Sequence, residues 1–117
     1  MAPQGWHVPN LEEWEELLSY LGGKSVAGGK LKARGLMYWR YPNSGATDEF
    51  GFTALPAGFR NYYSGVCIGL YNGIEFWSTT ETDHSRVVAW LLDYSTGEIR
   101  KYNERKNTGL PIRFVRD

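Results

Sequence analysis

Residues 86–94, Arg-Val-Val-Ala-Trp-Leu-Leu-Asp-Tyr, constrain the fold more than any other stretch of this 117-residue chain. In an extended strand Val88, Trp90, Leu92 and Tyr94 share one face, and Val87, Ala89, Leu91 and Asp93 share the other. Both faces are rather apolar, so the strand is either central in a sheet or offers one face to a partner. Ser95-Thr-Gly97 is a tight connection into residues 98–102, which predicts a hairpin. Residues 74–78 and 112–116 read as further strands, and 52–55 as a short one closed by Pro56 and Gly58.

Helical signals are confined to the first third. Asn10 followed by Glu13 forms a capping box, with Asn10 accepting from an early backbone N–H and Glu13 reaching back. Leu11, Trp14, Leu18 and Leu21, with Leu17 beside them, draw one apolar stripe, and Gly22-Gly23 supplies the stop. Glu12, Glu13, Glu15 and Glu16 lie early in this helix, where its dipole favours negative charge; exposed there, they read as solvated surface rather than as an acid–base site. Residues 25–34 predict a second, shorter helix with Val26, Ala27 and Leu31 inward. Its Gly28-Gly29 pair weakens helix propensity and makes sense only if the backbone must pass close to another element. A phosphate loop would need Lys-Ser/Thr after a strand, and Lys30-Leu31 supplies neither.

From Gly35 the texture changes to Gly, Pro, Asn, Ser and Tyr punctuated by short apolar pieces, so loops and short strands replace helices. Residues 41–47 form a loop, and 62–73, with Gly65, Gly69 and Gly73, a long excursion of the kind that carries binding. The expected class is therefore α+β, in a single domain over residues 1–117 without repeat or linker.

Charge removes some functions. Lys plus Arg and Asp plus Glu each number 13, so the long-range positive field that a phosphate backbone requires is missing, and no nucleic-acid partner is expected. Arg86, Arg100, Lys101, Arg105, Lys106, Arg113 and Arg116 interleave with Asp93, Glu98, Glu104 and Asp117, as on a solvated, salt-bridged surface. No run of ~18 apolar residues predicts a membrane span, and no charged-then-apolar leader precedes Gly5. Cys67 stands alone, which excludes an intrachain disulfide and a cysteine-based zinc site.

Reaction centres are not apparent. His7 sits between Trp6 and Pro9 at the helix entry and His84 in a polar loop, and neither has metal-ligand spacing. Asp83-His84-Ser85 is not a triad, whose members meet through the fold, and there is no nucleophile elbow. The chain is expected to be no enzyme and to hold no metal and no cofactor. Its unusual term is aromatic content, 15%, with five Trp, eight Tyr and five Phe. Rings in excess of a small core suit recognition. The candidate ligand-binding residues are Arg60, Asn61, Tyr62, Tyr63, Tyr71, Trp90, Tyr94 and Tyr102. The competing reading makes most of these rings core, Trp77 and Trp90 before the tyrosines that sit among glycines.

Residues 5–14 (Gly-Trp-His-Val-Pro-Asn-Leu-Glu-Glu-Trp), 27–32 (Ala-Gly-Gly-Lys-Leu-Lys), 51–60 (Gly-Phe-Thr-Ala-Leu-Pro-Ala-Gly-Phe-Arg), 76–81 (Phe-Trp-Ser-Thr-Thr-Glu) and 111–117 (Pro-Ile-Arg-Phe-Val-Arg-Asp) form an ordered set. Together they resemble the Fibrobacter succinogenes major paralogous domain, a bacterial relative of the formylglycine-generating-enzyme and C-type-lectin-like folds. The resemblance implies two helices packed on a small, irregular antiparallel sheet with long loops. It also implies a non-catalytic, extracytoplasmic binding module, present as a monomer or weak dimer, whose ligand is a glycan or a protein surface. The alternative it raises is a hypervariable lectin-fold receptor of a diversity-generating retroelement. The cysteines of the formylglycine-generating enzymes are missing, as are the calcium-lectin motifs, and Trp90-Leu-Leu-Asp93 lacks ligand spacing. The family's upstream strand and Cys-Pro lead-in are replaced by Ala2-Pro3-Gln4, and Phe114 stands where the family often has cysteine. A sheet edge left bare by that strand would favour dimerisation.

Overall fold

The computed structural model describes residues 2–60 and 65–117, without the side chains of Arg60 and Cys67. Its class is α+β, with two helices and small antiparallel sheets. The first helix, α1 (Leu11–Tyr20), begins as its cap predicts: the Glu13 N–H donates to Asn10 Oδ1 at 2.9 Å, and the Asn10 N–H donates to Glu13 Oε1 at 3.1 Å. Each bond satisfies an N–H that helix geometry leaves without a partner. A third such donor, the Leu11 N–H, is taken by Thr80 Oγ1 at 2.8 Å, which ties the helix entry to the sheet. Trp14, Leu18 and Leu21 are buried, as the stripe requires. The Gly23 N–H closes the C-terminus on the Leu18 carbonyl at 2.8 Å.

The second helix, α2 (Lys24–Leu31), buries Ala27 and Leu31 but leaves Val26 exposed. It is shorter than the sequence predicts because Lys32 turns extended and the backbone of Leu31 and Ala33 bonds to Ala54 instead. Gly28 and Gly29 explain themselves by contact. A Cβ on Gly28 would stand 2.6 Å from the Glu98 carbonyl oxygen, and one on Gly29 would collide with the Gly45 carbonyl. The Gly29 N–H donates to the Gly97 carbonyl at 2.9 Å, so helix, loop and hairpin turn meet at bare backbone.

Among the described residues seven strands surround these helices, one before them in the chain and six after. Strand β1 (Trp6–His7) pairs with β7 (Val115–Arg116), which joins the two ends of the described chain. Strands β2 (Phe59–Arg60) and β3 (Cys67–Ile68) pair antiparallel, so part of the expected loop excursion is a strand. The main sheet has the order β4 (Gly73–Asp83), β5 (Arg86–Asp93), β6 (Ile99–Arg105), antiparallel throughout. Strand β5 is central, the first of the two alternatives that its apolar faces leave open. Val88, Trp90 and Leu92 face the helices with Ile74, Phe76 and Ile99, while Val87 and Ala89 are buried on the reverse face. Residues 52–55 form no strand; only Ala54 makes a bridge, to Lys32. The last strand begins at Val115 rather than at residue 112.

Lys32 lies at the centre of this arrangement with 0% of its surface exposed. Its Nζ donates to the carbonyls of Ser44, Asp93 and Thr96 at 2.8, 2.9 and 2.9 Å, which uses all three ammonium protons. The same Nζ sits 5.3 Å from the Trp39 ring centroid. Burial lowers its pKa to about 8, with Asp93 acting in the opposite direction. At the chain ends His7 plays a smaller version of this role. Its Nε2 meets Glu13 Oε2 and its Nδ1 meets Asp117 Oδ1, both at 2.6 Å. These carboxylates raise its pKa, hydrogen bonding to Glu13 first, and favour an imidazolium that donates from both nitrogens.

Candidate functional site

The loop after α2 displays its apolar residues outward. Trp39 anchors it: the indole is buried, and its Nε1–H donates to the Ala54 carbonyl at 2.9 Å. Asn43 closes the loop from inside by donating to the carbonyls of Ala33 and Gly35 at 3.0 and 2.8 Å. With one ring fixed inward, Leu36, Met37, Tyr38 and Tyr41 are all exposed, Met37 at 82%. An exposed apolar run beside a buried anchor is a patch of the kind that marks interaction surfaces.

A second loop rises beside the first. Tyr71 has φ 70°, the left-handed region that a bulky residue adopts at a cost of about 1–3 kcal/mol. Its backbone is held there at both ends: the Tyr71 N–H donates to the Pro56 carbonyl at 2.9 Å, and its carbonyl accepts from the Arg40 N–H at 3.0 Å. The ring itself is 57% exposed. Tyr71 and Leu70 share a shallow recess of about 130 Å³ with Tyr38, Leu55, Pro56 and Ala57, and a neighbouring recess of about 340 Å³ with Leu36, Met37 and Arg40. The two loops thus make one surface.

The eight sequence candidates divide. Tyr71 lies on this surface. Tyr94 stands at its base, half-buried against the core; its N–H donates to the Asn72 carbonyl at 2.9 Å and Arg40 stacks 4.9 Å from its ring centroid. Tyr102 is on β6 and lines a different recess, with Lys24 and Arg100. Trp90 is a correction: it is 0% exposed, in the middle of the central strand, with Lys24 Nζ 5.6 Å from its ring centroid. A ring so placed fills the space between sheet and helix and touches no ligand. Arg60 is described only as backbone paired with Cys67, and Asn61, Tyr62 and Tyr63 lie outside the described residues. Sequence reasoning missed Leu36, Met37, Tyr38 and Tyr41. The available signal was the run Leu-Met-Tyr-Trp after Gly35, apolar in a segment with neither helical nor strand periodicity.

Burial pushes the Glu75 carboxyl up to about 8, with Glu104 acting in the same direction, yet Glu75 walls none of the recesses described here. No group of three or more His, Cys, Asp or Glu suited to a metal ion occurs among the described residues. No helix among them is long and apolar enough to cross a membrane.

Comparison with known proteins gives one match, to the Fibrobacter succinogenes major domain, over residues 1–116. No curated protein and no solved structure matches the chain.

Proposed function

Because the chain belongs to the Fibrobacter succinogenes major domain family, whose resemblance to lectin-like scaffolds implies recognition, we propose that it is a non-catalytic, extracytoplasmic binding module. Its ligand is a glycan or a protein surface, taken up on the face formed by residues 36–41 and 70–72. One observation carries this reading: the Tyr71 ring is displayed to solvent from a left-handed backbone that both neighbouring loops hold in place. Strain maintained at an exposed aromatic residue is more readily understood as a device for contact than for folding. The mixture of Leu36, Met37, Leu55 and Leu70 with Tyr38 and Tyr71 suits the apolar centre of a protein interface, and the tyrosines alone suit stacking on a sugar face. The frame of two helices, paired end strands and long loops supports the lectin-like part of the proposal.

The test uses a glycan array and a displayed peptide library, each screened with the wild type, Tyr71→Ala and Tyr38→Ser. Binding that the substitutions weaken at least tenfold supports the site. Equal binding by all three proteins moves the site elsewhere, and retention of nothing on either panel counts against a binding module.

A further inference from the structure

A recess of about 400 Å³ opens between α1 and the segment leading into β7, and shares no residue with the Tyr71 surface. Trp14, Leu17, Phe52 and Phe114 form its walls, and this size and apolar character match a small-molecule site. Trp14 is 3% exposed, and its Nε1–H, which meets no partner, is closed off from solvent in the recess. The exposed Arg113 guanidinium lies on the rim, 4.0 Å from the Phe52 ring centroid, and no carboxylate among the described residues pairs with it. Of the two acids on the rim, Glu13 is already engaged by His7 and by the Asn10 N–H, while Glu16 is exposed on α1.

We propose that this recess binds a small aromatic carboxylate, its ring against Trp14, Leu17 and Phe52 and its anionic end on Arg113. The planar guanidinium fork matches a carboxylate, and aromatic walls favour a ring over a flexible chain. A neutral ring would leave Arg113 unpaired. An amine would meet its repulsion and find only Glu16 in compensation.

Phenylacetate, 2-phenylethanol and phenethylamine, which share a ring and differ in the end group, discriminate these cases by calorimetry and by the indole N–H resonances of the full chain. Phenylacetate is expected to bind with a Kd on the order of 1 mM, and to move the Trp14 indole resonance, identified by its loss in Trp14→Phe. Arg113→Gln should weaken phenylacetate about tenfold, the effect of one lost ion pair, and leave 2-phenylethanol unchanged. Leu17→Phe should fill the recess and abolish binding with the fold intact, which serves if Trp14→Phe does not fold. Tyr71→Ala should change nothing. Equal or tighter binding of the alcohol or the amine overturns the proposal. So does a Trp14 resonance that stays in place at saturation, or no heat well above the expected Kd.

Discussion

Around Lys32 and around Tyr71 the chain is equally irregular, yet the two regions handle their backbone groups and side chains in opposite ways. At Lys32 three carbonyls from two loops and a strand end converge on one buried ammonium, and glycines at 28 and 29 let the backbones touch. At Tyr71 the backbone is equally satisfied, but the side chains point away from the protein. Aromatic content therefore has two uses in this molecule. Trp39 and Trp90 fill space beside buried or packed cations, while the rings of Tyr38 and Tyr71 are exposed. One region exists to be stable and the other to be available, and substitutions should separate them.

The largest effect is expected at the hub. Lys32→Met keeps the volume of the stem but strands the carbonyls of Ser44, Asp93 and Thr96, and should cost about 4 kcal/mol. On a domain of this size that lowers Tm by on the order of 15 °C, measurable by calorimetry. A loss under about 1 kcal/mol would mean that water replaces the ammonium, and the contrast between the regions would collapse.

Glu75 sharpens the comparison by showing what burial does without such satisfaction. Its Oε2 finds no partner, and its pKa is raised, first by burial, to about 8. The folded state then binds more protons than the unfolded one between the ordinary value of 4.5 and about 8, so wild-type stability should fall as pH rises through that window. Lys32, with its pKa lowered to about 8, contributes an opposite slope only above that pH. Glu75→Gln should flatten the slope between pH 5 and 8, leaving the part that His7 contributes above pH 6.5, and stabilise the protein at pH 8 by about 2 kcal/mol. Parallel denaturant titrations of the two proteins give this difference directly. Parallel curves would show that Glu75 ionises freely.

Tyr71→Gly is stabilising as well, by a smaller amount and for a different reason. Glycine reaches φ 70° without the strain a tyrosine meets, so release of that strain opposes the greater entropy of an unfolded glycine. Stability should rise by up to about 1 kcal/mol while array binding is lost. A large destabilisation would place the ring among structural groups and remove the main support for the binding face.

The cap at Asn10 and Glu13, the stripe through Trp14 and Leu18, and the central position of residues 86–94 were legible because each is a local or periodic signal. Gly28 and Gly29 announced a close contact without naming Gly45, Gly97 and Glu98 as its other side, since no local rule relates positions that far apart. Lys32 was invisible: a lysine in a basic run reads as surface, and only the convergence of three distant carbonyls makes its burial possible. Aromatic excess around residues 90–102 puts Trp90 in the binding set, and an apolar strand does not say which face the helices cover. Residues 36–41 were missed for a related reason. An apolar run normally implies burial, and here Trp39 alone takes the inward place.

The smallest effect is the most specific test of the two-region contrast. Met37 is 82% exposed and neighbours Tyr71 on the open surface, so Met37→Ser removes apolar area without opening a cavity. Stability should change by less than about 0.5 kcal/mol. If the exposed loop is the centre of an interface, the same substitution weakens ligand retention, because a long apolar side chain at such a centre is desolvated by the partner. Unchanged retention by Met37→Ser together with loss in Tyr71→Gly would confine the contact to the tyrosines and favour a stacked sugar over a protein surface. Loss in both would extend the contact across the two loops, the outcome that an apolar protein partner requires.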